Sequence, residues 1–274
     1  MGLILRQHKY ILDILTRAGM TSCKPVDTSV SPSKVTLLPD HSFSDPTRFH
    51  QIMGALQYLT FTRPDICFVV NRVCQFMHAP TDSHWAAVKR ILCYLKGTTS
   101  YGFHITRGSS FALHGVTDAD WAGSIDDRKS TGGYLVFFGQ TPISWKFGKQ
   151  RTIARSSTED EYKALADGTA EVIWLQYLLT DLQVPSVSTP TIAPTIWCDN
   201  LGATYLLANP IFHARTKHVE VDYHFVHDRV AKKEIQICFV PSRDQLVDVF
   251  TKPLPVASFT AFRFKLRVDP PPSA

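Results

Sequence analysis

The chain has 274 residues, 44% of them hydrophobic, and a net charge of +5, which supports one large core or two modest ones. Its six cysteines (Cys23, Cys67, Cys74, Cys93, Cys198, Cys238) form no CxxC pair and mostly lie in apolar runs; free thiols in a reducing compartment are expected, not a disulfide scaffold. No apolar run is long enough to cross a bilayer, no secretory signal opens the chain and no asparagine begins a glycosylation sequon, so a soluble intracellular protein is expected.

In chain order, residues 7–19 (QHKYILDILTRAG) place Tyr10, Ile11, Ile14 and Leu15 at helical spacing and stop at Gly19. Residues 22–47, rich in Ser, Thr, Pro and Asp and without a period, read as a loop. Helices follow over about 48–62 and from Pro64 to about His78. Another covers 82–97, where Trp85, Val88, Ile91, Leu92 and Leu95 share a side, Asp82 is the candidate N-cap and Gly97 the stop. The front third is therefore expected to be helical. It is also basic: residues 1–110 hold 12 Lys/Arg and 6 Asp with no Glu, whereas the remainder holds 17 Lys/Arg against 18 Asp/Glu. Such an asymmetry suits a polyanionic partner held by one part and processed by the other, and equally suits an ordinary basic protein.

After Thr98 the pattern changes. Phe111–Thr117, Gly133–Phe138 and Pro142–Phe147 read as strands, with turns at Asp126-Asp127-Arg128 and Gly139-Gln140. A long helix over about 157–181 follows, then a strand at 194–198, helices at 200–208 and about 216–231, a strand at 235–240 and a last helix from about 244. Three consecutive strands followed by alternating helices and strands predict a mixed sheet covered by helices. The domain boundary falls near residue 105.

The acids of this rear part sit at unusual places. Asp118 and Asp120 lie where a strand ends, in VTDADWAG. In the long helix Glu161, Leu165, Gly168, Val172, Leu175 and Leu179 form one stripe that must pack on the sheet. An unpaired carboxylate there would cost several kcal/mol, so Glu161 must meet a cation or lie at the core's edge. Gly168 in mid-helix costs roughly 1 kcal/mol against Ala, which suggests close approach to the sheet. Asp199 follows the strand Thr195-Ile196-Trp197-Cys198 and, taken alone, reads as an N-cap; Asp248, in QLVDVF, taken alone reads as a charge on a helix face. Together, carboxylates from separate elements meeting at strand ends would make a hard oxygen site for Mg²⁺ or Mn²⁺, the arrangement that serves in-line displacement at phosphorus.

These residues sit in blocks that resemble the ribonuclease H domain of copia-type LTR retrotransposon Pol polyproteins: TDADWAGSIDDRKSTGGYLVF, SWKFGKQRTIARSSTEDEYKALA, WCDNLGATYLLANPIFHARTKHVEVDYHFVHDRV and FVPSRDQLVDVFTKPL. Upstream, HKYILDILTRAGMTSCKPVDT and YLTFTRPDICFVVNRVCQFMHAPTDSHWAAVKRILCYLKGT resemble the end of the reverse transcriptase in the same polyproteins. The resemblance implies an α/β fold: a reverse transcriptase thumb- or connection-like remnant over 1–105, mostly helical, then a ribonuclease H-like domain over 106–265 with a five-stranded mixed sheet flanked by helices, and a disordered tail over 266–274. It implies that Asp118, Glu161, Asp199 and Asp248 are the catalytic, metal-binding quartet. Asp118 is chosen over Asp120, and Glu161 over Glu159 in agreement with the helix phase.

The implied activity is hydrolysis of the RNA strand of RNA–DNA hybrids with two Mg²⁺ or Mn²⁺ ions. Asp118 would bridge them, with Asp248 completing one site and Glu161 and Asp199 the other. No polymerase activity is expected. The implied partners are the hybrid and, in a full-length polyprotein, the reverse transcriptase palm and fingers. The implied location is cytoplasmic, in a virus-like particle for an intact element, or nuclear. Three departures from the family pattern stand out: Asp160 where Ala is common, expected to be solvated; Val247 where Ala is usual; and Pro241-Ser242-Arg243-Asp244 where many cellular ribonucleases H carry a mobile His. The rival reading is a non-catalytic nucleic-acid-binding or inert remnant of a truncated element.

Lys146, Lys149, Arg151 and Arg155, between the third strand and the long helix, are candidate contacts to the nucleic-acid backbone, with an ordinary solvated loop as the competing reading. His213, His218, His224 and His227 have irregular spacing and no Cys partner, so zinc is not expected. Asp126-Asp127 reads as a charged turn.

Overall fold

A computed structural model describes residues 2–30, 41–108, 111–124, 127–184, 193–208, 220–252 and 254–271. It divides the chain into two compact units, one formed by Met1–Thr106 with Lys252–Ala274 and the other by Arg107–Thr251.

The first unit begins with strand β1 (Gly2–Leu5) and helix α1 (His8–Arg17), which buries Ile11, Ile14 and Leu15. Helix α2 (Pro46–Leu59) starts earlier than its apolar period suggests, because the Asp45 side chain accepts the Arg48 amide at 2.9 Å and Pro46 needs no partner for a missing N–H. Pro64–Ile66 forms a 3₁₀ turn leading into α3 (Cys67–Cys74). Helix α4 (Asp82–Gly97) is capped by Thr81, not Asp82, in a capping box with His84. Under these helices Arg63 donates twice to the Asp65 carboxylate, at 2.9 and 2.7 Å, and also to Thr98, while the Tyr94 hydroxyl donates to Asp65 at 2.6 Å.

The front segment is not helical throughout. Strand β2 (Gly102–Thr106) pairs antiparallel with β1 and, on its other edge, with β8 (Val268–Asp269). Partners about a hundred residues apart or more leave no local signal. The C-terminal helix α9 (Val256–Lys265) and β8 belong to this unit as well. The second unit therefore ends at Thr251, not at residue 265. The disordered tail expected from residue 266 is replaced by an ordered segment through residue 271: Leu266 and Val268 are buried, and Val268 is registered with Phe103. Residues 272–274 lie outside the described residues.

The second unit is the expected five-stranded mixed sheet with helices. β3 (Leu113–Asp120), β4 (Thr131–Phe138) and β5 (Thr141–Lys149) form an antiparallel meander; β6 (Thr195–Cys198) and β7 (Gln236–Phe239) add in parallel, giving the order β5-β4-β3-β6-β7. Helix α5 (Ser157–Asp181), with Ser156 as its N-cap, lays the predicted stripe on this sheet. Its Leu165, Val172 and Leu175 share a core with Val136, Ile196 and Val226. Helices α6 (Leu201–Ala208) and α7 (Glu220–Ala231) follow β6, and residues 216–219 of the expected helix lie outside the described residues. The single helix expected from about 244 is broken into a 3₁₀ turn at Ser242–Asp244, a one-turn helix α8 (Asp248–Thr251) and, in the first unit, α9, with Pro255 at the last break. No helix among the described residues is long and apolar enough to cross a membrane.

Candidate active site

Strand register brings the first two acids together. β3 and β6 are parallel neighbours, with Thr117 registered on Cys198. Asp118 and Asp199 are the next residues on each chain, so both emerge at the same end of the sheet. Asp118 lies inside β3, opposite Gly133 of β4, and is buried.

Asp199 is not the N-cap of α6. Asn200 has that role, its Oδ1 accepting the Ala203 amide at 3.0 Å. Asp199 is left for other work: Ser242 donates to its Oδ2 at 2.9 Å, and its Oδ1 is buried with no hydrogen-bond partner.

Glu161 reaches the same place from α5. Since β6 pairs with β3 only as far as Thr117, the backbone beyond has no strand on that side, and the Glu161 carboxylate accepts a hydrogen bond from the Ala119 amide. Cys198 Sγ lies 3.8 Å from Glu161 Oε2, and ligand atoms of Glu161, Cys198 and Asp199 all lie within 4.8 Å of one another. Burial above all, and then the Asp118 and Asp199 charges, push the Glu161 carboxyl up to about 9. Burial and the Glu161 charge push the Cys198 thiol upward too. Glu159 is otherwise engaged: its two oxygens take the Arg155 amide and the Lys163 ammonium, at 2.9 and 2.8 Å.

The fourth acid arrives on the segment 242–251, which is fastened to β3 and β4. Gln245 donates through Nε2 to the Thr117 carbonyl at 2.9 Å, and its Oε1 accepts the Val247 amide. The Val247 side chain lies close over Gly133, and Phe250 stacks on Phe147 at 5.9 Å. Val247 is fully buried there, filling the space the smaller Ala would leave. Asp248 opens α8, and Thr251, closing it, donates its hydroxyl to Asp118 Oδ2. Asp118, Glu161 and Asp199 thus meet from β3, α5 and the end of β6 at one end of the sheet, and Asp248 lies on α8, whose last residue bonds to Asp118.

Other expectations fare differently. Asp160 is fully buried, not solvated: it lies among Ser130, Lys163, Asp120 and Glu159, and burial pushes its carboxyl up to about 6. Lys146 and Lys149 pair with Asp167 and Asp127, at 3.6 and 2.8 Å, while Arg151 and Arg155 are exposed. Asp127 and Arg128 lie in a turn, with Arg128 at positive φ, and Asp126 lies outside the described residues. His224 and His227 lie on α7 beside Tyr223, whereas His213 and His218 lie outside the described residues. Reading acids alone overlooks Ser242, Gln245, Thr251 and Cys198. The available signal was spacing: Thr251 is three residues beyond Asp248, one helical turn.

No protein-family model matches the chain. Over 274 residues it is 48% and 47% identical to the retrovirus-related Pol polyproteins from transposons RE1 and RE2 of Arabidopsis thaliana, covering 99% of this chain and 18% of each of theirs. An uncharacterized mitochondrial protein of Arabidopsis thaliana is 46% identical over 173 residues, 63% of this chain and 72% of its own. Similar solved structures include the N-terminal RNase H domain of a Mycobacterium tuberculosis protein (12% identity, TM-score 0.36, 56% of this chain and 98% of that one) and LC11-RNase H1 in complex with an RNA/DNA hybrid (9%, 0.33, 48% and 88%). Sheet order defines a mixed α/β domain, with the carboxylates of Glu161 and Asp199 gathered beside Cys198 at one end of the sheet. The chain belongs to the family of copia-type, retrovirus-related Pol polyproteins from transposons and spans about a fifth of the length of the two polyproteins.

Proposed function

We propose that the second unit is a ribonuclease H that hydrolyses the RNA strand of RNA–DNA hybrids, with Asp118, Glu161, Asp199 and Asp248 holding two Mg²⁺ or Mn²⁺ ions. The observation that carries this reading is that the charges of Asp118 and Asp199 both bear on the buried Glu161 carboxyl, with a ligand atom of Asp199 within 4.8 Å of it. Like charges so placed are unfavourable alone and favourable around a divalent cation. The buried Asp199 Oδ1, without a hydrogen-bond partner, fits that demand, and all-carboxylate ligands suit these metals.

When bound, such ions activate a water and stabilise the leaving 3′ oxygen, so the products carry a 5′ phosphate. The chain's own contribution is orientation. β3 and β6 fix two carboxylates by register, α5 brings Glu161 over the strand end, and segment 242–251 presents Asp248. Contacts to phosphates and 2′-hydroxyls would give affinity without base sequence, and exposed Arg151 and Arg155 are the better placed of the four cations to make them. We read the first unit as the end of a reverse transcriptase. With its C-terminal strand and helix it holds 15 Lys/Arg and 7 Asp, against 14 Lys/Arg and 17 Asp/Glu in the second, a distribution that supports a polyanionic partner. The remaining polyprotein would be its other partner.

The test is cleavage of an RNA–DNA hybrid by the full chain, with Mg²⁺ and with chelator, beside Asp118→Asn. Mg²⁺-dependent cleavage of the RNA strand alone, lost in the variant, is expected. Equal silence of both proteins with intact folds would leave a non-catalytic remnant.

A further inference from the structure

We infer that Thr251 is a positioning residue of this centre: its hydroxyl, donated to Asp118 Oδ2, fixes the orientation in which Asp118 meets a divalent cation. The inference rests on reading the centre as a cation site. Successive side chains of a strand point to opposite faces. Thr117 turns its methyl toward α5, where a Cβ at Gly168 would lie 2.5 Å from it, so Asp118 points to the other face, the one covered by segment 242–251. There Thr251 is 1% exposed and Asp118 2%. A carboxylate so enclosed is held by the groups that donate to it, and a hydroxyl has one proton to give.

The segment is anchored independently of this bond, by Gln245 on the Thr117 carbonyl and by Val247 and Phe250 against β4 and β5. Thr251 is therefore not needed to dock the segment, and of the two acceptors near its hydroxyl, Asp118 Oδ2 and the Val247 carbonyl at 3.5 Å, Asp118 is the much closer. The same helical turn supplies Asp248 three residues earlier, so one short element delivers a ligand and orients another. A partner that orients a metal ligand typically contributes 10–100-fold in metal affinity.

Mn²⁺ binding to the full chain, measured by calorimetry without nucleic acid, tests this with Thr251→Val and Thr251→Ser, alongside melting temperatures in chelator. Valine keeps the shape and loses the hydroxyl; serine keeps the hydroxyl. The expected result is roughly 10-fold weaker binding for valine, near wild-type binding for serine, and melting temperatures that do not follow that order. Wild-type affinity in Thr251→Val, or a serine variant no better than valine, would overturn the inference while leaving the cation site standing. A wild-type chain that binds no Mn²⁺ would overturn both.

Discussion

Gly168 of α5 and Thr117 of β3 approach so closely that a Cβ at residue 168 would stand 2.5 Å from the Thr117 methyl and 3.4 Å from Tyr134 Cβ. Alanine is ordinarily favoured over glycine in a helix by about 1 kcal/mol. Here the order reverses, because both neighbours are buried and Thr117 is β-branched, with little freedom to move. Gly168→Ala is expected to destabilise the second unit by about 2 kcal/mol and to displace Glu161, two turns away on the same stripe. Urea unfolding would measure the first effect. The double variant Gly168→Ala, Thr117→Ser removes the offending methyl and should recover most of the loss; an unchanged midpoint in the single variant would show that the helix does not need this contact.

Glu161→Gln should have opposite effects on stability and on cation binding. Its folded-state carboxyl titrates at about 9 rather than near 4.5, so the folded protein holds a proton that the unfolded chain releases, and stability falls as pH rises between those values. Glutamine stays neutral. In chelator, Glu161→Gln should raise the melting temperature, more at pH 8 than at pH 5, with a gain in unfolding free energy of up to about 3 kcal/mol at neutral pH. On the proposed cation site, it should also abolish the stabilisation expected of Mn²⁺ in the wild type. Thermal melts with and without Mn²⁺ read both; a variant that is no more stable in chelator at any pH would contradict the buried-carboxylate account.

The sequence made the second unit legible because its elements carry their own periods. Glu161, Leu165, Gly168, Val172, Leu175 and Leu179 announce a helix and the face it buries, and the β3–β5 meander is punctuated by turns. Glu161 was identifiable as an acid on a burying stripe. Asp199 was not, since Asp before a helix looks like a cap; only the Asn200 hydrogen bond to Ala203 releases it. Asp160 misleads in the other sense, for a position 100° around the helix from Glu161 is buried when the 150s loop folds over it, with Gln150 donating to the Asp160 carbonyl. What had no local signal was pairing between distant segments: β1 and β8 on the two edges of β2.

The buried pair Arg63 and Asp65 in the first unit makes a prediction about asymmetry. Asp65 takes two hydrogen bonds from the guanidinium and one from Tyr94, and both charged side chains are almost wholly enclosed. Removing one partner leaves the other charge buried, whereas removing both leaves none. Asp65→Leu alone should cost about 3–5 kcal/mol, and Arg63→Met, Asp65→Leu together should cost less than the single change. Equilibrium unfolding of the two variants decides this; additive losses would mean that the charges do not act as a unit.

His114 provides a pH dependence of the opposite sign to that of Glu161. It lies half-buried in β3 with its ring stacked on Phe137 at 4.9 Å and 7°, and burial holds its pKa below the usual value. The unfolded chain therefore binds this proton more readily, near pH 6.5. The stability His114 contributes is fully present above that pH and is lost as pH falls through it, levelling off once the folded imidazole is also charged. His114→Phe keeps an aromatic ring against Phe137 and has no proton to bind. The melting-temperature gap between His114→Phe and wild type, in chelator, should widen in favour of the variant from pH 7.5 to pH 5.5. A gap that stays constant across this range would show that His114 is no harder to protonate in the folded chain than in the unfolded one.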